Sequence, residues 1–203
     1  MKSALTITES VYKIILIWGF MLISWIGFAS EYPQPLQPPQ CINDYTNQLD
    51  KAKLAITENR LIAFYDSTGT EVAVVIENST QGREIAEYAI GLFNEWGVGD
   101  KKREDGVLLY IALEDRKLFI VTGRGVEDKL PDIYANRIVK EDIKPYFKEG
   151  NYEDGIQSGV AKICGYVKGE IKRPQTPTGS PMSKILIIIF IILFFTLILP
   201  FIS

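Results

Sequence analysis

Apolar and polar positions sort into three regimes along the chain. Residues 14–28 and 185–202 are apolar almost throughout and carry no polar stripe. Residues 41–172 mix short apolar runs with helical spacings, the pattern of a folded domain. Residues 31–40 and 173–181 are rich in proline and polar types and have no period, so they read as linkers. Within 41–172, Asn43 or Asp44 is expected to cap a helix from about Tyr45 to Phe64, with Leu49, Ala52, Ile56 and Leu61 on one stripe. A turn at Asp66-Ser67-Thr68-Gly69 leads into a short β-branched strand, Glu71–Glu77. Ile85, Ala89, Leu92, Phe93 and Trp96 recur at helical spacing and predict a helix over Gly82–Trp96. The continuous apolar run Gly106–Leu113 predicts a central strand, and Glu114-Asp115 turns it into Lys117–Thr122 as a hairpin. Pro131 and Asp132 open a helix to about Ile143, where Pro145 is expected to break it. A last helix spans about Tyr152–Ile171. The order α-β-α-β-β-α-α predicts an α/β fold: a small mixed sheet, one parallel crossover plus one antiparallel hairpin, sandwiched by helices.

The apolar ends set the expected address. Residues 1–29 carry Lys2 and Lys13, then a short apolar core, then Gly27 and Ala29, which is the layout of a secretory signal peptide with a cut after Ala29. Left uncut, the same segment would be an N-terminal anchor. Residues 30–40 follow as a stiff proline-rich linker, and 173–184 form a second linker. Residues 185–202 are long enough to span a hydrocarbon core of about 30 Å as a transmembrane helix. Lys168, Lys172, Arg173 and Lys184 before that span would favour a cytoplasmic domain. The first segment points the other way, and the first segment usually sets orientation. The expected placement is therefore membrane-anchored, with the domain outside the cytoplasm on the periplasmic face of the inner membrane or its equivalent.

Composition narrows the partners and the chemistry. Of 22 basic and 25 acidic residues, Lys2, Lys13, Lys184 and Glu9 lie in the ends. Residues 31–181 then hold 19 basic and 24 acidic residues, a net of −5, which argues against nucleic acid as a partner. The apolar ends leave the membrane as the expected partner. There is no histidine, which removes every Ser-His or Cys-His nucleophile pair and every His-ligated metal site. Cys41 and Cys164 begin and end the folded body; they are either a disulfide closing a long loop or two separate thiols.

Carboxylates carry the remaining chemistry. Asp105 starts the central strand, while Glu127 and Asp132 follow its antiparallel partner, so opposite strand directions put all three at one sheet edge. Together with loop carbonyls approachable past Gly123 and Gly125, they are the candidate ligands for calcium or another divalent cation. The plainer alternative has Asp132 capping a helix and Asp105 satisfying a turn. Asp44 and Asp115 fall at the opposite edge as a rival pair, with N-cap and hairpin-turn roles as their plainer reading. Asp66-Ser67-Thr68-Gly69-Thr70 resembles the phosphoacceptor of P-type pumps, but the chain lacks room for a nucleotide domain, and a turn is expected. Cys164 lacks the nearby arginine of a phosphate cradle. Phe93 and Trp96 are expected in the core, and Arg116 and Arg124 in solvent or ion pairs.

A succession of motifs resembles the TPM domain family over about residues 41–170. Asn43-Asp44, Gly69 with its following strand, and Leu92-Phe93-Asn94-Glu95-Trp96-Gly97-Val98-Gly99 match its first half. Glu104-Asp105-Gly106-Val107-Leu108-Leu109, Asp115-Arg116-Lys117 and Gly123-Arg124-Gly125-Val126-Glu127 match its second. Glu104-Asp105 stands where Asp-Asn is usual, and Arg124 where an aromatic is common. The resemblance implies an exported domain credited, in different members, with acid phosphatase activity, calcium binding or support of membrane complexes. The expected function is thus a membrane-tethered binding or assembly module for membrane protein complexes, with calcium as a candidate cofactor. The alternative is a metal-assisted phosphomonoesterase in which Asp105, Glu127 and Asp132 hold a metal that activates water.

Overall fold

The computed structural model describes residues 31–171, together with 189, 190 and 192. The expected signal peptide or anchor, the second linker and the span at 185–202 lie outside the described residues, apart from those three positions. Among the described residues no helix is long and apolar enough to cross a membrane.

Four strands form one sheet in chain order: β1 (Ile42–Asp44), β2 (Val72–Glu77), β3 (Val107–Ala112) and β4 (Lys117–Thr122). β1 and β2 run parallel, β2 and β3 run parallel, and β4 returns antiparallel to β3. Helix α1 (Lys51–Thr68) connects β1 to β2, and α2 (Ile85–Trp96) connects β2 to β3. After β4 come the single turn α3 (Arg124–Glu127), α4 (Asp132–Arg137), a π-helical stretch at Ile138–Ile143, α5 (Lys144–Lys148) and α6 (Tyr152–Lys168).

The sheet buries both faces, as its continuous apolar strands require. Val74, Ile76, Leu109, Ile111, Leu118 and Ile120 face one core, shared with α1, α4, the π stretch and α6. Ala73, Val75, Leu108, Tyr110 and Val121 face a second, smaller core under α2. The result is a three-layer sandwich with β1 and β4 at its edges.

Four expectations change. Ile42–Asp44 is a strand, not the start of a helix, so the sheet has four strands rather than three. Asp50, not Asn43 or Asp44, caps α1 by accepting from the Ala52 N–H. The buried stripe of α1 is Leu54, Thr57, Leu61 and Phe64, while Ile56 is 59% exposed. Pro145 does not break the helical run. It sits in the first turn of α5, where a missing N–H costs nothing, and the chain reaches it through the π stretch.

The proline-rich segment 31–40 is not a free spacer. It is a strap laid on the domain. Tyr32 packs edge-on against Tyr88 and lies over Gly91, where a side chain would collide with its ring. Pro33 accepts from the Trp96 indole, Gln34 from the Tyr45 hydroxyl, and the Leu36 N–H donates to Asn43. Tyr32→Ala is expected to speed cutting within 31–40 by a broad-specificity protease roughly tenfold, because ring contacts are worth about 1 kcal/mol each. The melting temperature should fall only slightly. Unchanged cutting would show that Tyr32 does not hold the strap.

Candidate functional site

Strand directions sort the carboxylates to two edges that run across the strand ends, distinct from the edge strands β1 and β4, as the hairpin and crossover require. At one edge lie Asp44, Glu77 and Asp115; at the other lie Asp100, Glu104, Asp105, Glu127 and Asp132.

Asp105 is buried and faces inward to its own loop. It accepts from the Asp100 N–H at 3.2 Å and lies 3.4 Å from the Arg103 guanidinium. Arg103 in turn donates to the Gly69 carbonyl, so this cluster ties the 100–105 loop to the end of α1. Asp100 accepts from the N–H groups of Arg103 and Lys102, which hold its carboxyl below the usual range. Asp105 thus satisfies a turn. Asp132 is not a cap: Pro131 holds the cap position, and Asp132 is the first residue of α4.

The glycines of this edge let three loops touch. A Cβ on Gly99 would collide with the Gly106 backbone, one on Gly106 with the Val98 carbonyl, one on Gly123 with the Glu104 carbonyl, and one on Gly125 with the Arg103 carbonyl. The carbonyls that Gly123 and Gly125 admit are therefore those of the neighbouring loop. Gly125 donates to the Glu104 carbonyl at 3.0 Å. Among the described residues, no three of His, Cys, Asp and Glu are grouped to hold a metal ion. Calcium needs six to eight oxygens, and the committed Asp105 leaves only Glu127 and Asp132 of the expected set open to solvent.

Those two open onto a cleft of about 600 Å³. Its floor is Phe119, Ile120, Val121 and Thr122 of β4. Ile90, Phe93 and Asn94 of α2 form one wall, and Arg124, Glu127 and Asp132 close the other end. Glu104 pairs with Arg124 at 3.7 Å. The carboxylates of Glu127 and Asp132 have no partner among the described residues. Sequence reasoning missed the apolar wall, because Ile90 and Phe93 fit a core helix equally well; the legible signal was Ile90 falling off the buried stripe of α2.

At the opposite edge, Asp115 accepts from the Thr80 N–H and the Ser79 and Thr80 hydroxyls, which hold its carboxyl below the usual range. It fastens the hairpin to the β2–α2 loop. Asp44 turns onto Thr46, and its other carboxylate oxygen is buried with no hydrogen-bond partner among the described residues. Asp66 lies exposed in the last turn of α1, with Gly69 in the left-handed conformation ending the helix, so the phosphoacceptor-like stretch is a helix end. Arg124 is 84% exposed at its side chain. Cys41 and Cys164 are free thiols, pushed up chiefly by burial to about 12 and about 11. Neither is a thiolate nucleophile near neutral pH.

Fold and cleft define a three-layer α/β domain with a groove along an edge strand and carboxylates at its mouth. Residues 42–166 match the TPM domain, and the chain belongs to that family. The solution structure of the N-terminal domain of a protein from P. gingivalis is 30% identical. The match covers 66% of this chain and 85% of that one, with a TM-score of 0.61. The BA42 protein from Bizionia argentinensis is similar at 21% identity and a TM-score of 0.54, over 64% of this chain and 89% of its own. The N-terminal domain of the cg2496 protein from Corynebacterium glutamicum shares the fold at 13% identity and a TM-score of 0.53, over 75% and 94%. No curated protein matches the chain.

Proposed function

We propose that this chain is an exported, membrane-tethered TPM module that binds membrane proteins of the envelope through the β4 cleft. The observation that carries the reading is the cleft itself: about 600 Å³, walled on one side by Ile90 and Phe93, with two carboxylates at its mouth that have no partner among the described residues. Concave apolar surface with a few convergent polar groups is what binding sites are made of. The apolar segments 14–28 and 185–202 support the tethering, and the acidic body supports a protein partner over nucleic acid. A divalent cation has a smaller place in this reading. Glu127 and Asp132 offer it carboxylate oxygens, and water or partner oxygens would complete its shell.

The test uses the full chain in intact cells, with a photo-crosslinking residue at Ile90 in the cleft wall or at Ile62, 46% exposed on α1. Ile90 is expected to give a discrete membrane-protein adduct and Ile62 none. Equal adducts at both positions would sink the reading. So would steady turnover of p-nitrophenyl phosphate that disappears in Glu127→Gln and Asp132→Asn.

A further inference from the structure

The two edges of the sheet are finished differently. β1 is only three residues long, and its outer side is closed by α1: the Glu58 carboxylate accepts from the Cys41 and Ile42 N–H groups at 2.7 and 2.8 Å. Proteins blunt an edge in this way to stop another strand from pairing with it. β4 is twice that length, and among the described residues no side chain accepts from the N–H groups of its outer side.

Register shows which of its backbone groups are free. Val107 and Leu113 donate to the β2 side, so Leu108, Tyr110 and Ala112 turn their groups toward β4. Their partners Val121, Phe119 and Lys117 spend theirs on β3, and the Gly123 N–H continues that ladder to Gly106. Alternation then points the N–H and C=O groups of Leu118, Ile120 and Thr122 away from the sheet. Among the described residues, none of these groups has a hydrogen-bond partner. Two of the three residues, Ile120 and Thr122, line the cleft.

We infer that the cleft takes an extended peptide segment of the partner as a fifth strand, antiparallel or parallel to β4. This rests on the binding-module reading and names what the module binds. A row of outward donors and acceptors at strand spacing is matched by another strand and by little else. The wall adds a side-chain preference: Ile90, 44% exposed, with Phe93 and Phe119, offers an apolar surface to alternate residues of the incoming segment. Charge sets the rest. The lining holds Asp100, Glu104, Glu127 and Asp132 against Lys101 and Arg124. With Arg124 spent on Glu104, the unpaired carboxylates at the mouth select a segment carrying lysine or arginine.

The probe is a blocked heptapeptide, Lys-Val-Thr-Val-Lys-Val-Thr, added to the full chain in detergent. It is expected to slow amide exchange at Leu118, Ile120 and Thr122, and to leave Ile42–Asp44 unchanged. The same peptide methylated on alternate backbone nitrogens loses the strand's donors, and should bind about a hundredfold more weakly. Glu127→Lys combined with Asp132→Lys, both at exposed positions, should weaken the parent peptide about tenfold and more so at low salt. No protection of the β4 amides at saturating probe, protection at β1 instead, or equal binding of the methylated peptide would each overturn the inference. An Ile90 adduct alongside any of these results would leave the binding-module reading standing. Loss of the adduct would remove that reading itself.

Discussion

Gly123→Ala is expected to lower the melting temperature by about 6–12 °C, corresponding to roughly 3 kcal/mol in a domain of this size. The backbone at Gly123 is ordinary, with φ −71° and ψ 157°, so alanine brings no conformational strain there. The whole cost is steric. The new Cβ would sit well inside 3.0 Å of the Glu104 carbonyl oxygen. That carbonyl cannot swing aside, because it accepts the Gly125 N–H, and the Glu104 N–H is itself bonded to the Asp100 carbonyl. Glu104 also holds a positive φ of 50°, already a costly conformation for a residue with a side chain. Relief would have to come from parting the loops that carry Glu104, Arg124 and Glu127, so the mouth of the cleft should widen as stability falls. Gly97→Ala is the control. Gly97 has φ 63° and open space around its Cβ position, so its cost is conformational alone, about 1–2 kcal/mol. Thermal melts of the full chain compare the two. If Gly123→Ala melts within about 2 °C of the parent, the loops are not in backbone contact and the geometry of this edge needs revision.

That edge also shows what could be read from the residues and what could not. β2, β3 and β4 were legible because each is a continuous or alternating apolar run bounded by turn residues, and the hairpin follows from their spacing. β1 was not, because Ile42–Asp44 becomes a strand only through its pairing with Val74–Ile76. Three residues carry no period of their own. The phase of α1 was unreadable for a related reason. Leu54, Ile56, Leu61, Ile62 and Phe64 supply apolar side chains to two faces, and only packing against α6 chooses between them. The strap escaped notice because its anchors lie at long range: Tyr32 to Gly91, Pro33 to Trp96, Gln34 to Tyr45. Strand direction alone puts Asp105, Glu127 and Asp132 toward one side of the sheet. Which of them faces solvent depends on Arg103 turning back to Asp105, and no spacing rule announces that. The glycine pairs were visible, but their use in seating loop against loop, rather than in baring carbonyls to an ion, appears only in three dimensions.

Glu77→Ala should cost roughly 2–3 kcal/mol, from taking the shared acceptor away from two buried hydroxyls. Glu77 ends β2, and one of its carboxylate oxygens accepts both the Tyr88 hydroxyl at 2.8 Å and the Tyr110 hydroxyl at 3.0 Å. Tyr110 is fully buried and Tyr88 nearly so. Removing the acceptor leaves the two O–H groups only each other, so one buried donor loses its partner. The Arg83 guanidinium lies 4.1 Å over the Tyr88 ring, and Tyr32 packs on the same ring, so the strap should loosen with the network. Glu77→Gln keeps an acceptor and loses the charge, and should cost about half as much. Alkaline titration gives an independent reading. Burial first, and the Glu77 carboxylate next, push the Tyr88 and Tyr110 phenols up, and burial pushes Tyr45 up to about 12. Raised folded-state values mean that the native state holds these protons more tightly than the unfolded chain. The stability they contribute is intact below about pH 10, where free tyrosine titrates, and is lost as pH climbs toward the folded values. The parent should therefore unfold cooperatively, with a step in tyrosinate absorbance from the buried phenols at the same pH. Glu77→Ala should shift that onset downward. Loss of the fold near pH 10 in the parent, or a Glu77→Ala protein as stable as the parent, would show that the two phenols do not depend on Glu77.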